Sequence, residues 1–142
     1  MPTFNRVNTL SQNLSNKILD MDSDTFRWIL TNSAPSAANA LLSDITQIAT
    51  GGNYTQMTDG AGGLPATLSM ALSTAQMTIS LAADVTLTAS GSVATFRYAV
   101  LVDDTPTSPL NPLIGWIDHG AGITMAATDT YKILAGALFT VG

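Results

Sequence analysis

The sequence predicts a mainly β fold, an antiparallel β-sandwich or jelly-roll-like domain with an N-terminal amphipathic helix, and three observations carry that expectation. Strand-length apolar alternations recur every eight to twelve residues with turn signals between them. From Val93 to His119 the chain reads as two long strands joined by a proline-rich turn. The opening shows the clearest helical period.

That opening places Phe4, Val7, Leu10, Leu14 and Ile18 at steps of three, three, four and four, with polar residues between. An amphipathic helix over residues 1–20 follows. Its asparagines and serines are poor helix formers, so the apolar stripe must dock, either on its own sheet or on a neighbouring subunit. Asp20 to Asp24 then crowds three carboxylates into five residues and ends the helix. A calcium loop of the EF-hand type would need a glycine at the sixth position and a distal glutamate, and the chain has no glutamate. A solvated turn, with Asp and Ser oxygens bonded to local backbone, accounts for the stretch.

Thr25 to Thr31 reads as a strand, with Phe26, Trp28 and Leu30 on one side and Arg27 and Ile29 on the other. Ala37 to Ala49 fits a short helix or a loop leading into a short strand, and the second is preferred. Thr50 to Pro65 holds five glycines and no periodicity, which predicts a long flexible loop able to serve as a contact arm. After Pro65 come Leu68, Met70 and Leu72 on one strand face, then Met77, Ile79 and Leu81, then Val85 and Leu87, separated by gaps at Ser73 to Ala75 and Ala82 to Asp84 that suit antiparallel neighbours.

Ser90-Gly91 turns the chain into the longest pair. Ala94, Phe96, Tyr98, Val100 and Val102 alternate with Thr95, Arg97, Ala99 and Leu101, and both faces are largely apolar, so this strand belongs in the centre of a sheet. Three prolines after Asp104 stop the pairing at Asp103 or Asp104, and it resumes at Leu113. Beyond His119, Gly120 to Gly122 reads as a turn, Ile123 to Ala126 as a short strand, and Thr130 to Val141 as a last strand with a bulge at Gly136.

Composition limits what such a domain does. The 142 residues suit one domain, 1–142, with residues 25–142 in the sandwich. Without cysteine there is no disulfide, thiolate site or thiol catalysis. Only 11% of residues are charged, where a soluble domain carries about 25%. A subunit that covers its surface with neighbours can replace charge by Ala, Thr, Ser and Gly, so the deficit points to a homo-oligomer. No apolar run reaches the length of a membrane span, and the N-terminus lacks the features of a signal peptide, so the expectation is a chain made and used in a cytoplasm. Arg6, Lys17, Arg27, Arg97 and Lys132 are isolated cations on a chain of net charge −5, which argues against a nucleic-acid partner.

Motifs for chemistry are few. Asp118 and the sole histidine, His119, are adjacent, but neighbours on a strand point to opposite faces and would not form a catalytic pair. No G-x-S-x-G is present, and the glycines at 51–52 and 60–63 lack the setting of a phosphate loop. A non-enzymatic chain without cofactor or metal is the expectation. Trp28 and Trp116 could stack sugars in a lectin-like groove, yet flanking aliphatics place them in a core or an interface.

The blocks Phe4 to Thr55, Val85 to Thr105 and Pro112 to Met125, with the final apolar strand, resemble a family of small bacteriophage virion structural proteins, most like head decoration, or capsid cement, proteins. The resemblance implies a structural protein on the outer surface of the capsid, bound to the major capsid protein as an oligomer, most often a trimer. A tail-tube or head-tail connector subunit is the alternative within the same class, and a carbohydrate-binding β-sandwich module the alternative outside it. Phe4, Val7, Leu10, Leu14, Ile18, Tyr54, Met57 and Trp116 are the expected interface residues.

Overall fold

Ten strands, β1 (Phe4–Arg6), β2 (Phe26–Thr31), β3 (Leu64–Ala66), β4 (Leu68–Ser73), β5 (Gln76–Leu81), β6 (Val85–Thr88), β7 (Val93–Asp103), β8 (Leu113–Met125), β9 (Thr130–Ile133) and β10 (Gly136–Val141), make up most of the ordered framework of the computed structural model, which describes residues 3–141. One short helix, α1 (Leu10–Ser15), and one 3-10 turn at Leu42–Asp44 accompany them. All strand pairs are antiparallel, in sheets of order β1-β8-β7-β2-β3, β10-β5-β4 and β6-β9. The fold is mainly β. No helix among the described residues is long and apolar enough to cross a membrane.

The central strand is where alternation placed it. β7 lies between β8 and β2, with Phe96, Val100 and Val102 buried on one face and Ala99 and Leu101 on the other. It ends at Asp103, and β8 begins at Leu113. Trp28, Ile29 and Leu30 of β2 are also buried, so both faces of the large sheet contribute to one contiguous core. The small sheet joins that core through Phe139 of β10, whose ring stacks on Phe4 at 5.8 Å, while Phe4 meets Trp28 edge-on at 6.2 Å. Among the places where the chain passes from one sheet to another are Thr67, between β3 and β4, and Leu134-Ala135, between β9 and β10. The Asp84 carboxylate accepts the Ala135 N–H at 2.7 Å and fixes the second of these.

The helix expected over residues 1–20, whose first two residues lie outside those described, is a strand followed by a single helical segment. Phe4 to Arg6 pairs with β8, and helix begins only at Leu10. Poor helix formers cannot hold a long isolated helix, whereas the edge of β8 offers hydrogen-bond partners and Gly115 leaves room for the Phe4 ring. α1 ends in a Schellman motif: Ile18 N–H donates to Asn13 O at 2.9 Å and Lys17 N–H to Leu14 O at 3.2 Å, with Lys17 at φ +59°. No strand forms at residues 44–49. Instead Leu41 makes one bridge to Pro112, and Ile48 N–H donates to Leu30 O at 3.0 Å. The gap at Ala82 to Asp84 is not a hairpin, because β6 leaves β5 and pairs with β9. Gly120 to Gly122 is not a turn. β8 runs unbroken to Met125, and between the Tyr98–Asp118 and Phe96–Ile123 pairs Arg97 of β7 stands against His119 to Gly122 of β8, a large irregular bulge in which Gly120 takes φ +86°. The expected last strand is two, β9 and β10, divided at Leu134-Ala135 as the chain changes sheet.

The glycine-rich stretch 50–65 is a pinned loop rather than a free arm. Tyr54 is buried; its hydroxyl accepts the Leu30 N–H and donates to Gln47 Oε1, each at 3.0 Å. Gln47 in turn accepts the Met57 N–H at 2.7 Å and donates to Met57 O at 2.9 Å. Burial pushes the Tyr54 hydroxyl up to about 12, so it stays protonated as this network requires. Tyr54→Phe is expected to destabilise the fold by about 1–3 kcal/mol, because the Leu30 N–H loses its acceptor inside the core. Urea unfolding measures this. A loss below the error of that method would mean that the network does not hold the loop.

Candidate interaction surface

The end of the small sheet that runs past the core is built from the β4–β5 hairpin. Its turn, Thr74-Ala75, has positive φ at both residues, as the tight two-residue turn of a twisted hairpin demands. Leu68, Met70 and Leu72 lie opposite Leu81, Ile79 and Met77, so all six share one face, and Phe139 and Val141 of β10 extend it. Near Leu81 and Phe139 this face enters the core. Toward the turn it emerges into solvent: Leu72 is 71% exposed, and Met70 and Met77 are only half-buried.

An open groove of about 500 Å³ runs along the emerging part, walled by Leu14, Leu19 and Met21 on one side and Met70, Met77 and Val141 on the other. Lys17, Asp20 and Asp22 form its polar rim. Asp20 is held by its own turn, accepting the N–H groups of Asp22 and Ser23 at 3.0 and 3.2 Å and the Ser23 hydroxyl at 2.7 Å. Those bonds hold its carboxyl below the usual range. Its oxygens are occupied by local structure.

Of the eight residues expected at an interface, Leu14 lines this groove. Val7, Leu10, Tyr54 and Met57 are buried in the chain's own core and are closed to a partner. Phe4 bridges Trp28 and Phe139, and Ile18 and Trp116 are half-buried against the core. Amphipathic spacing identified residues that need covering, but the covering surface is intramolecular. The groove's other wall, Met70, Met77 and Val141, was visible in sequence only as alternation, since nothing in a strand pattern says which end of a face stays uncovered.

The adjacent Asp118 and His119 go separate ways. Asp118 grips Arg97 through two bonds of 2.8 and 3.1 Å and accepts the Gly120 N–H at 2.8 Å. These hydrogen bonds, Arg97 first, keep its carboxyl low. His119 Nε2 lies 2.6 Å from the Tyr131 hydroxyl. Burial lowers the His119 pKa and raises that of Tyr131, so the neutral forms face each other. Among the described residues no carboxylate bonds the imidazole, and the pair braces β8 against β9. Trp28 is wholly buried and offers no platform to a sugar.

Sequence spacing gave no sign of one polar assembly. Arg27 Nε bonds Asp104 Oδ2 at 2.6 Å with both side chains largely buried, and its other nitrogens donate to Gly62 O and Gly60 O at 2.9 and 3.3 Å. Asp104 Oδ1 accepts the Gly60 N–H at 2.9 Å. The pair ties the 50–65 loop to the end of β7. No family model, curated protein or solved structure matches the chain.

Proposed function

We propose that the chain is a structural subunit of a bacteriophage virion, a decoration or cement protein that binds the assembled head from outside as a homo-oligomer. A mainly β fold of short antiparallel sheets suits this. The observation that carries the reading is the apolar end of the β4–β5 sheet, left in solvent on a chain with only 11% charged residues. Such a surface calls for a macromolecular neighbour. A cement protein acts by linkage: it binds the assembled lattice and not dispersed subunits, so its binding free energy adds to the stability of the shell. Low charge and shape-matched surfaces serve that role, and no bond-making chemistry is required of any residue.

Mass spectrometry of purified virions carrying the gene should find the chain in stoichiometric amount. Heads lacking it should lose integrity at lower temperature and regain it when the purified chain is added. Absence from particles, or heads equally stable with and without it, would dispose of this function.

A further inference from the structure

The β4–β5 hairpin determines which backbone groups of β4 are left over. Ser73 and Gln76 flank the two-residue turn as a pair, and the bond from Ala82 N–H to Thr67 O at 2.8 Å marks the same alternation at the far end. Ser69, Ala71 and Ser73 therefore bond β5, and the N–H and C=O groups of Leu68, Met70 and Leu72 point to the outer side. Among the described residues no strand takes them up. Exposed edges are ordinarily blunted by charge, proline or a bulge. β4 has no charged residue and no proline, and its register with β5 is unbroken.

Charge indicates what can approach this edge. Residues 60 to 83 contain no ionisable side chain, on a chain of net charge −5. A second copy of this acidic chain meets like charge over much of its surface, but not here. Beside the edge, the groove rim carries Lys17 with Asp20 and Asp22. Across a two-fold axis a contact from Lys17 of one copy to a rim carboxylate of the other is made twice, so the cation on each rim offsets part of the like charge there.

We propose that β4 pairs antiparallel with β4 of a second copy about a two-fold axis at Met70. In this register Met70 faces its own counterpart and Leu68 faces the counterpart of Leu72, so all three outward residues exchange backbone hydrogen bonds. Centring the axis on Ser69 or Ala71 pairs fewer of them. A one-residue slip would set the Leu-Met face of one copy beside the Ser-Ala face of the other. The joined sheet has the order β10-β5-β4-β4-β5-β10, and Leu72 is covered by the opposing strand. This contact rests on the reading of the chain as an assembling subunit, and it replaces the trimer implied by the resemblance with a two-fold pair.

Light scattering on the purified full chain at micromolar concentration should give twice the 14.7 kDa chain mass. Leu72→Lys, at a solvent-exposed position, and Met70→Pro, which removes an N–H that β5 does not use, should each weaken the dimer at least tenfold. The thermal unfolding of Leu72→Lys should resemble that of the parent chain under conditions where both are monomeric. Because the chain has no cysteine, single thiols report the register. Met70→Cys should oxidise to a covalent dimer, while Ser73→Cys, whose counterpart would lie about 20 Å away, should not. A monomer at hundreds of micromolar, a trimer indifferent to Leu72→Lys, or crosslinking at Ser73 as fast as at Met70 would overturn the contact. A monomer found in virions would remove only this contact. A dimer absent from virions would remove only the virion function.

Discussion

Gly115→Ala should cost on the order of 3 kcal/mol and free the first strand, although the substitution adds a single methyl group. A Cβ at Gly115 would lie 2.2 Å from the carbonyl oxygen of Asn5 and 2.7 Å from two carbons of the Phe4 ring. The nearest atom is backbone, so no rotamer change relieves it. Asn5 is held there by pairing, since Phe4, Asn5 and Arg6 stand opposite Ile117, Trp116 and Gly115 on β8. β1 must therefore move outward, and Phe4 goes with it. That removes the stack on Phe139 and the edge contact with Trp28 and opens the core where the two sheets meet. Hydrogen exchange should show the amides of β1 losing protection while those of β7 keep theirs. Phe4→Ala should add little on top of Gly115→Ala, because both remove the same packing. A change within about 0.5 kcal/mol, with β1 still protected, would show that the strand absorbs the methyl.

The same glycine shows why spacing alone does not place the N-terminal segment. Spacing by three and four is a sound sign of a helix when a face must be covered, and Leu10 to Ser15 is helical. Phe4 and Val7 fit the helical stripe equally well, yet their partner is β8, and the requirement for Gly115 beneath Phe4 cannot be seen from either segment alone. β7, β8 and the β4–β5 hairpin were legible because each carries its own alternation and a nearby turn. The break between β5 and β6 was not. Ala82 to Asp84 resembles Ser73 to Ala75 in length and polarity, but only the latter contains the successive positive-φ residues that fold a strand back on itself. The 50–65 loop looked mobile for a comparable reason. It has no periodicity, and single side chains hold it: Tyr54, Gln47 and the Arg27–Asp104 pair. The apolar face of β4 was legible as a face, whereas its exposure depended on where the 14–22 segment came to lie.

Asp103→Asn is expected to stabilise the protein above neutral pH by an amount that grows with pH. Asp103 is fully buried at the end of β7. One oxygen accepts the Thr105 N–H at 3.0 Å, and the other receives no hydrogen bond from a neighbouring donor. The Asp24 carboxylate is its partner, and Asp104 adds like charge nearby. Burial first, then that pairing, pushes the Asp103 pKa from 3.8 up to about 9, so the folded protein keeps a proton that Asp103 can donate to Asp24. The unfolded chain releases this proton above pH 3.8. The native state therefore binds the extra proton between there and about 9, and the contribution of Asp103 to stability falls across that window as pH rises. Two other trends can be separated from it. Asp20, Asp44 and Asp118 have lowered pKa values, and their contribution is lost only as pH falls below the ordinary carboxylate range. His119, also lowered, makes stability rise with pH, but only up to its unfolded value of 6.5. From pH 6.5 to 9 the slope belongs to Asp103 and should approach about 1.4 kcal/mol per pH unit. Asparagine keeps an oxygen for Thr105 and supplies a permanent N–H for Asp24. The two proteins should thus be close in stability near pH 4 and differ by a few kcal/mol, on that slope, at pH 8. Denaturant unfolding at half-unit pH steps reads the difference. Parallel pH profiles for the two would mean that Asp103 is ionised in the folded protein and that water or a rearranged Asp24 solvates it.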